Sequence, residues 1–224
     1  MKIFFIIKEK SQRVKDKNFI KLDGLPLYKY VLKKFRHFKV FVDTDSEKII
    51  RDCKKDKELK HVFCYKREKK FINLEKSKYQ SPTPLLLKNF IENFAHKDKI
   101  VISSHITSPF IKVKTLKKAI KKMNQFDSVA SCTEIQNFSY LKYEKKFSPI
   151  NFNPRIIQKT QNLKKIIHLH GAFFIFKREI FLNNGLQRIT KNNFFYDVKF
   201  PENLDLDNYE DFVMARQIIK KKFE

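Results

Sequence analysis

The sequence predicts an α/β fold: a mainly parallel sheet with helices on both faces. Two observations predict it. Short apolar stretches rich in β-branched and aromatic residues recur at 2–7, 39–42, 61–65, 99–103, 128–133 and 172–176, each of a length suited to a buried strand. Between most of them stand helical patterns: Leu27, Tyr30, Val31 and Phe35 behind Pro26, a residue suited to a first helical turn, and an apolar stripe of Val113, Leu116, Ala119, Ile120 and Met123. A further stripe, Phe212, Val213, Ala215, Ile218 and Ile219, closes the chain. Strands alternating with helices imply βαβ units with right-handed crossovers. In such sheets ligands bind beyond the carboxyl ends of the strands, which singles out 8–18, 43–46, 66–81, 104–109 and the acidic stretch near Asp205.

The 224 residues fit one domain, 1–224, and at that length roughly 70% of the unfolded surface can be buried. The alternation breaks between Asn137 and Leu169, where Tyr140, Tyr143, Phe147 and Phe152 stand in a polar context; this region reads as an extended arm or hairpin. No run of about 18 apolar residues occurs, and Met1–Ile7 runs directly into charges without a cleavage site, so a soluble, cytoplasmic protein is expected, with no membrane partner. Cys53, Cys64 and Cys132 show no paired ligand spacing and read as small core hydrophobes.

A balance of 49 Lys+Arg against 24 Asp+Glu gives a formal charge of +25, which raises a basic nucleic-acid-binding module as a rival reading. The lysines are scattered through nearly every helix, and Lys, Asn, Ile and Phe are heavily used together, as codon bias in a genome of low G+C content would produce. No specific nucleic-acid partner is expected.

The loop from Lys8 to Asn18 places several cations just past the first strand, where a polyphosphate could sit and its charge be compensated; an ordinary basic loop is the competing reading. Near the end, Asp205 and Asp207 are two apart, so in an extended segment both carboxylates face one side. Hard oxygen ligands at that spacing suit Mg²⁺, which takes one or two protein carboxylates together with phosphate oxygens and water. Alternatively Asp207 caps the helix that follows and Asp205 is merely solvated.

The spacing Ser11-x-Arg13-x-x-x-Lys17-Asn18 followed by Gly24-x-Pro26-Leu27 resembles the nucleotide-binding signature of the acylneuraminate cytidylyltransferases, the CMP-sialic acid synthetase family. Lys8-Glu9-Lys10 stands where that signature usually has Arg-Gly-Gly, so phosphate contacts rest more on side chains than on close backbone approach. The similarity continues in order through Val42-Asp43-Thr44-Asp45-Ser46-Glu47, Lys66-Arg67, Thr107-Ser108-Pro109-Phe110, Asp127-Ser128-Val129, Thr133-Glu134, Thr160-Gln161-Asn162-Leu163, Gly171-Ala172-Phe173-Phe174-Ile175-Phe176 and Leu204-Asp205-Leu206-Asp207. His105 and His170 stand where the family usually has glutamine and asparagine.

The resemblance implies a Rossmann-like, glycosyltransferase-A type fold with a homodimer built through an arm at about 137–169. It also implies transfer of CMP from CTP to a nine-carbon 2-keto sugar acid, with pyrophosphate leaving; a Kdo-like sugar or a phosphonate is the alternative acceptor. Carried over residue by residue, Arg13, Lys17, Asp205 and Asp207 are catalytic, and Asp205 and Asp207 bind Mg²⁺. Lys8, Ser11, Arg13, Lys17, Asn18, Arg67 and Thr83 contact nucleotide, with Thr83 resting on a loosely matched stretch. His105, Gln161, His170, Phe173 and Phe174 line the acceptor side.

Overall fold

A computed structural model describes residues 1–74, 81–156 and 158–221 of the chain. The first half runs β1 (Lys2–Ile7), β2 (Lys21–Leu22), β3 (Leu25–Pro26), α1 (Leu27–Leu32), β4 (Lys39–Thr44), α2 (Glu47–Lys55), β5 (Val62–Lys66), α3 (Lys69–Leu74) and α4 (Thr83–Phe94). The second half runs β6 (Ile100–Ser104), α5 (Val113–Lys121), β7 (Ser128–Ile135), β8 (Tyr140–Tyr143), β9 (Lys146–Pro149), β10 (Ile166–Lys177), α6 (Arg178–Asn183), β11 (Asn193–Asp197) and α7 (Tyr209–Lys220). Of the loop expected at 66–81, positions 75–80 lie outside the described residues, as does position 157 of the expected arm.

Seven strands form one sheet in the order β11-β7-β10-β6-β1-β4-β5. All pairings are parallel except those of β10, which runs antiparallel to both β6 and β7. The chain winds outward from β1 through β4 to β5, then returns to the other side of β1 as β6. Between β1 and β6 the winding therefore reverses, the point at which open α/β sheets hold ligands. The carboxyl ends of β1, β4 and β6 lie along this edge in register, Ile7 opposite Thr44 and Phe5 opposite Ser104.

Two cores cover the sheet. One packs α1, α2, α5 and α7 residues such as Leu27, Val31, Ile49, Leu116, Phe212 and Ala215 on Ile3, Phe5, Val40 and Phe173. The other sets α4 and α6 against Phe4, Val101, Phe174 and Phe176, with Phe4 and Phe90 stacked at 4.5 Å between ring centroids. Fully burying an aliphatic or aromatic side chain of this size contributes about 1.5–3 kcal/mol, so the alternating pattern of each strand fixes which face it turns to which helix layer.

The expected strands are all present, within one to two residues at most ends. β10 is longer, reaching back to Ile166, so the last residues of the expected arm belong to the sheet. The arm itself is the β8–β9 hairpin, with Leu141 opposite Ser148 and Lys142 opposite Phe147. β11, not expected from the sequence, adds an edge strand on β7. No described helix is long and apolar enough to cross a membrane.

Candidate active site

The loop after β1 is shaped by one anchor and one turn. Val14 is fully buried between the exposed Arg13 and Lys15 and pins the loop to the core. Asp16 then takes a left-handed conformation (φ 53°), tolerated by a short polar side chain, and starts a 3-10 turn over Lys17–Phe19. The turn drives Lys17 inward, only 8% exposed, and Asn18 beside it, 5% exposed. Behind them, Asp23 and Gly24, both at positive φ, close the two-residue hairpin between β2 and β3.

The acidic segment reaches the same place from the other end of the chain. The Leu206 amide donates to the Thr107 carbonyl at 2.8 Å, docking 205–207 on the loop after β6. Leu206 is fully buried, so Asp205 and Asp207 on either side of it turn together away from the core. Lys17 Nζ donates to the Leu206 carbonyl and to Asp207 Oδ1, each at 3.0 Å, and Arg13 Nη1 donates to Asp207 Oδ2 at 2.7 Å. Two loop cations and one carboxylate, 190 or more residues apart in sequence, thus meet at the carboxyl edge of the sheet. The helix-cap reading of Asp207 does not hold. Asn208 is the N-cap of α7, and the Asp211 carboxylate accepts from the Asp207 and Asn208 amides at 2.8 and 2.7 Å. Asp205 Oδ1 is buried without a hydrogen-bond partner, an arrangement that costs about 1–3 kcal/mol unless something donates to it or coordinates it.

His105, first residue after β6, closes the other wall. Its amide donates to the Gly171 carbonyl at 3.1 Å, and its ring lies so close to Gly171 that a Cβ there would meet Nδ1 at 2.0 Å. Burial, and next the charge of Arg188, push its pKa down to about 4 against the pull of Asp205 and Asp207, so the imidazole is neutral at pH 7. His170 is buried too, and burial lowers its pKa.

Other expected site residues divide. Asn18 Nδ2 donates to the Lys8 carbonyl at 2.6 Å, so Asn18 braces the loop after β1, while the Lys8 side chain is exposed. Ser11 is half-buried in the same loop, and the Glu9 amide ties that loop to Asp45 after β4 at 2.7 Å. Thr83 opens α4, its hydroxyl accepting from Ser81 Oγ at 2.9 Å. Gln161 is exposed in a 3-10 turn, its carbonyl held by Gln136 Nε2 at 2.9 Å.

Two expectations are corrected. Arg67 does not stand in the open to meet nucleotide: it is 1% exposed, paired through Nε with Asp43 and donating to the Asp43 carbonyl at 3.2 Å, a strut under the ends of β1 and β4. Phe173 does not line the acceptor side, because alternation along β10 sends it fully buried into the core against Tyr196 while Phe174 turns to the opposite face. Sequence reasoning missed Arg188, which follows α6 and lies 3.9 Å above the Phe174 ring. A single arginine in a basic chain carried no signal by itself.

Among solved structures, 4-diphosphocytidyl-2C-methyl-D-erythritol synthase from Anaerococcus prevotii matches with a TM-score of 0.65 at 11% identity, covering 97% of this chain and 98% of that one. A CMP:2-keto-3-deoxy-manno-octonic acid synthetase complexed with CTP matches with a TM-score of 0.64 at 12% identity, covering 98% of each. These likenesses show the Rossmann-like α/β fold. In sequence, N-acylneuraminate cytidylyltransferase A of Danio rerio is 26% identical over 217 residues, 92% of this chain, which spans about half (48%) of that relative's length. Residues 8–210, from the loop after β1 to the start of α7, match the family described as Cytidylyltransferase, and the chain belongs to that family.

Proposed function

We propose that this chain transfers CMP from CTP to a 2-keto sugar acid of the N-acylneuraminate type. The observation that carries the reading is the convergence of Arg13 and Lys17 on Asp207, two residues from Asp205, at the reversal point of the sheet in a chain that belongs to the cytidylyltransferases. The anomeric hydroxyl oxygen of the acceptor attacks the α-phosphorus of CTP. The bond from that phosphorus to the bridging oxygen breaks, pyrophosphate leaves with the electron pair, and the hydroxyl proton passes to water. Lys17 and Arg13, which hold the Asp207 carboxylate oxygens, can equally take phosphate oxygens and balance the charge that grows on the leaving group. The nine-carbon acceptor is supported by the zebrafish relative, and a Kdo-like acid is the alternative on the same fold.

The residues fit Mg²⁺. Asp205 Oδ1 is a buried acceptor with no donor, and Asp207 on the same side supplies a second hard oxygen. When bound there, the ion would act as a Lewis acid on phosphate oxygens. The exposed β8–β9 hairpin is the element through which we propose the chain forms a homodimer.

Replacing Asp205 or Asp207 with Asn keeps size and removes one charge. Each variant is expected to melt within a few degrees of the parent, a change of about 1 kcal/mol or less, while pyrophosphate release from CTP and N-acetylneuraminate falls by about a hundredfold or more. Partial rescue by raised Mg²⁺ or by Mn²⁺ is expected. If both variants keep full activity at limiting Mg²⁺, these carboxylates are not the metal site.

A further inference from the structure

Arg188 follows the short α6 and folds back over the sheet, its guanidinium carbon 3.9 Å above the ring of Phe174. The Phe174 ring in turn lies 6.2 Å from the imidazole of His105. Guanidinium, phenyl ring and imidazole therefore form one wall, running from α6 to the end of β6, and this wall stands beside the segment that carries Asp205 and Asp207. Nη1 of Arg188 is buried and has no hydrogen-bond partner. Among the described residues no carboxylate pairs with this side chain, although exposed cations of the chain have one, Lys66 with Glu47 and Lys70 with Glu68 among them.

A desolvated guanidinium without an anion is costly, as its depressed pKa, about 10 through burial, also shows. The contact with Phe174 compensates only in part. Such a cation suits a ligand that brings its own charge. A planar fork of donors matches a carboxylate in two-point fashion, where a lysine would offer only a point charge. On the phosphate side of the site, Arg13 and Lys17 already supply cations. Those two cations are joined to Asp207, whereas Arg188 leans on Phe174 and has no carboxylate partner among the described residues, so the anion assigned to it is that of the other substrate.

We infer that Arg188 is a specificity-determining residue that binds the carboxylate of the acceptor, with Phe174 as the platform that holds its guanidinium flat. The inference rests on the reading of the chain as a cytidylyltransferase acting on a sugar acid. It adds the residue that tells an acid from a neutral sugar. His105, wedged against Gly171, flanks the Phe174 ring on which the guanidinium lies.

The test compares N-acetylneuraminate and Kdo with their methyl esters, the same sugars without the negative charge. The 224-residue chain and its variants Arg188→Gln and Arg188→Lys are used. Thermal shift is read at fixed ligand concentration without CTP, and KM for each acceptor with CTP and Mg²⁺. At least one acid is expected to stabilise the parent more than its ester does and to show a KM at least tenfold lower. Arg188→Gln is expected to lose that preference, with KM for CTP unchanged and a melting temperature no lower than the parent's, since a half-buried cation without a carboxylate partner among the described residues has been removed. Arg188→Lys is expected to be intermediate. If neither acid is preferred over its ester by the parent, or if Arg188→Gln keeps the preference, the inference is overturned. If Arg188→Gln weakens CTP and leaves the acceptor preference intact, Arg188 serves the nucleotide and the inference is equally overturned. A parent that binds no CTP at all would instead bring down the reading of the reaction, a separate readout.

Discussion

Gly171 shows how one missing methyl group organises the site. Its backbone is not in the left-handed region, so the need for glycine is one of space: the His105 ring occupies the position of a Cβ, 2.0 Å from where that atom would stand. Gly171→Ala must push the imidazole aside, and overpacking of this kind costs about 1–3 kcal/mol. The displaced ring would also disturb Phe174, on which the Arg188 guanidinium lies. A fall in melting temperature together with at least a tenfold loss of turnover is therefore expected. In an His105→Ala background the clash disappears, so Gly171→Ala should then cost almost nothing, a non-additivity that a double-mutant cycle measures directly. Equal costs in both backgrounds would show that something other than the histidine needs the glycine. The sequence pattern located this glycine through the Gly-Ala-Phe strand, but its partner across the cleft, 66 positions earlier, was visible only as a histidine in an unusual place. Arg67 and Phe173 were misplaced for a related reason. A motif position says which segment approaches a ligand, whereas burial inside that segment follows from strand alternation and from the Asp43 pairing, neither of which the motif carries.

At the scale of elements, the strands and helices with strong periodicity were legible, and the weak ones were not. β11 reads Asn-Phe-Phe-Tyr-Asp, a short aromatic run without alternation, half exposed at the sheet edge, and only its pairing with β7 makes it a strand. The region 137–169 was legible as a departure from alternation, and its structure explains why it stands apart. The foot of the hairpin is clamped by Asn151, whose Nδ2 donates to the carbonyls of Asn137 and Lys164 at 2.9 Å each, and by Phe152 packed edge-on against Phe138 and Tyr140. Beyond that foot, Leu141, Phe147 and Tyr143 are 60%, 62% and 70% exposed on a two-stranded ribbon that has no core beneath it. An isolated hairpin of this kind is marginal in water, and its exposed apolar side chains, Leu141 and Tyr143 on one face and Phe147 on the other, give both faces of the ribbon an apolar surface suited to association. The double variant Leu141→Lys, Phe147→Lys is expected to be monomeric by light scattering at micromolar concentration while the parent is dimeric, with the far-ultraviolet spectrum of the sheet unchanged. A monomeric parent under those conditions would remove the dimer proposal.

Across the whole molecule, a formal charge of +25 must be assigned to something. The lysines of α5 face those at the end of α1 across a groove bordered by Lys34, Arg36, Lys114, Lys117 and Lys118. This surface and the active-site cations belong to one positive field, which attracts any anion, a nucleoside triphosphate and a sugar acid included. Sequence-selective nucleic-acid binding needs more than field strength: base-edge contacts, or aromatic rings offered as stacking platforms along a cationic track. Here Phe4, Phe5, Phe35, Phe90, Phe176 and Phe181 are fully buried in the two cores, and Phe41, Phe63 and Phe94 pack on one another at the β5 edge. Of the exposed rings, Phe138, Tyr140, Tyr143 and Phe147 lie on the hairpin and its foot, where a second copy of the chain is the proposed cover, and Phe195, Phe200 and Tyr209 stand elsewhere. Binding to RNA should then be pure counterion release, whose affinity falls with salt along a log–log slope of about −0.7 for each neutralised phosphate of a single strand. A mixed-sequence single-stranded RNA of about 20 nucleotides is expected to bind at about 20 mM salt and to be released by about 150–200 mM. Homopolymers should bind equally well at any one salt concentration, and saturating RNA should slow turnover only where it binds. Retention at physiological salt with preference for one base would mean that the charge serves nucleic-acid recognition as well as the small anionic substrates.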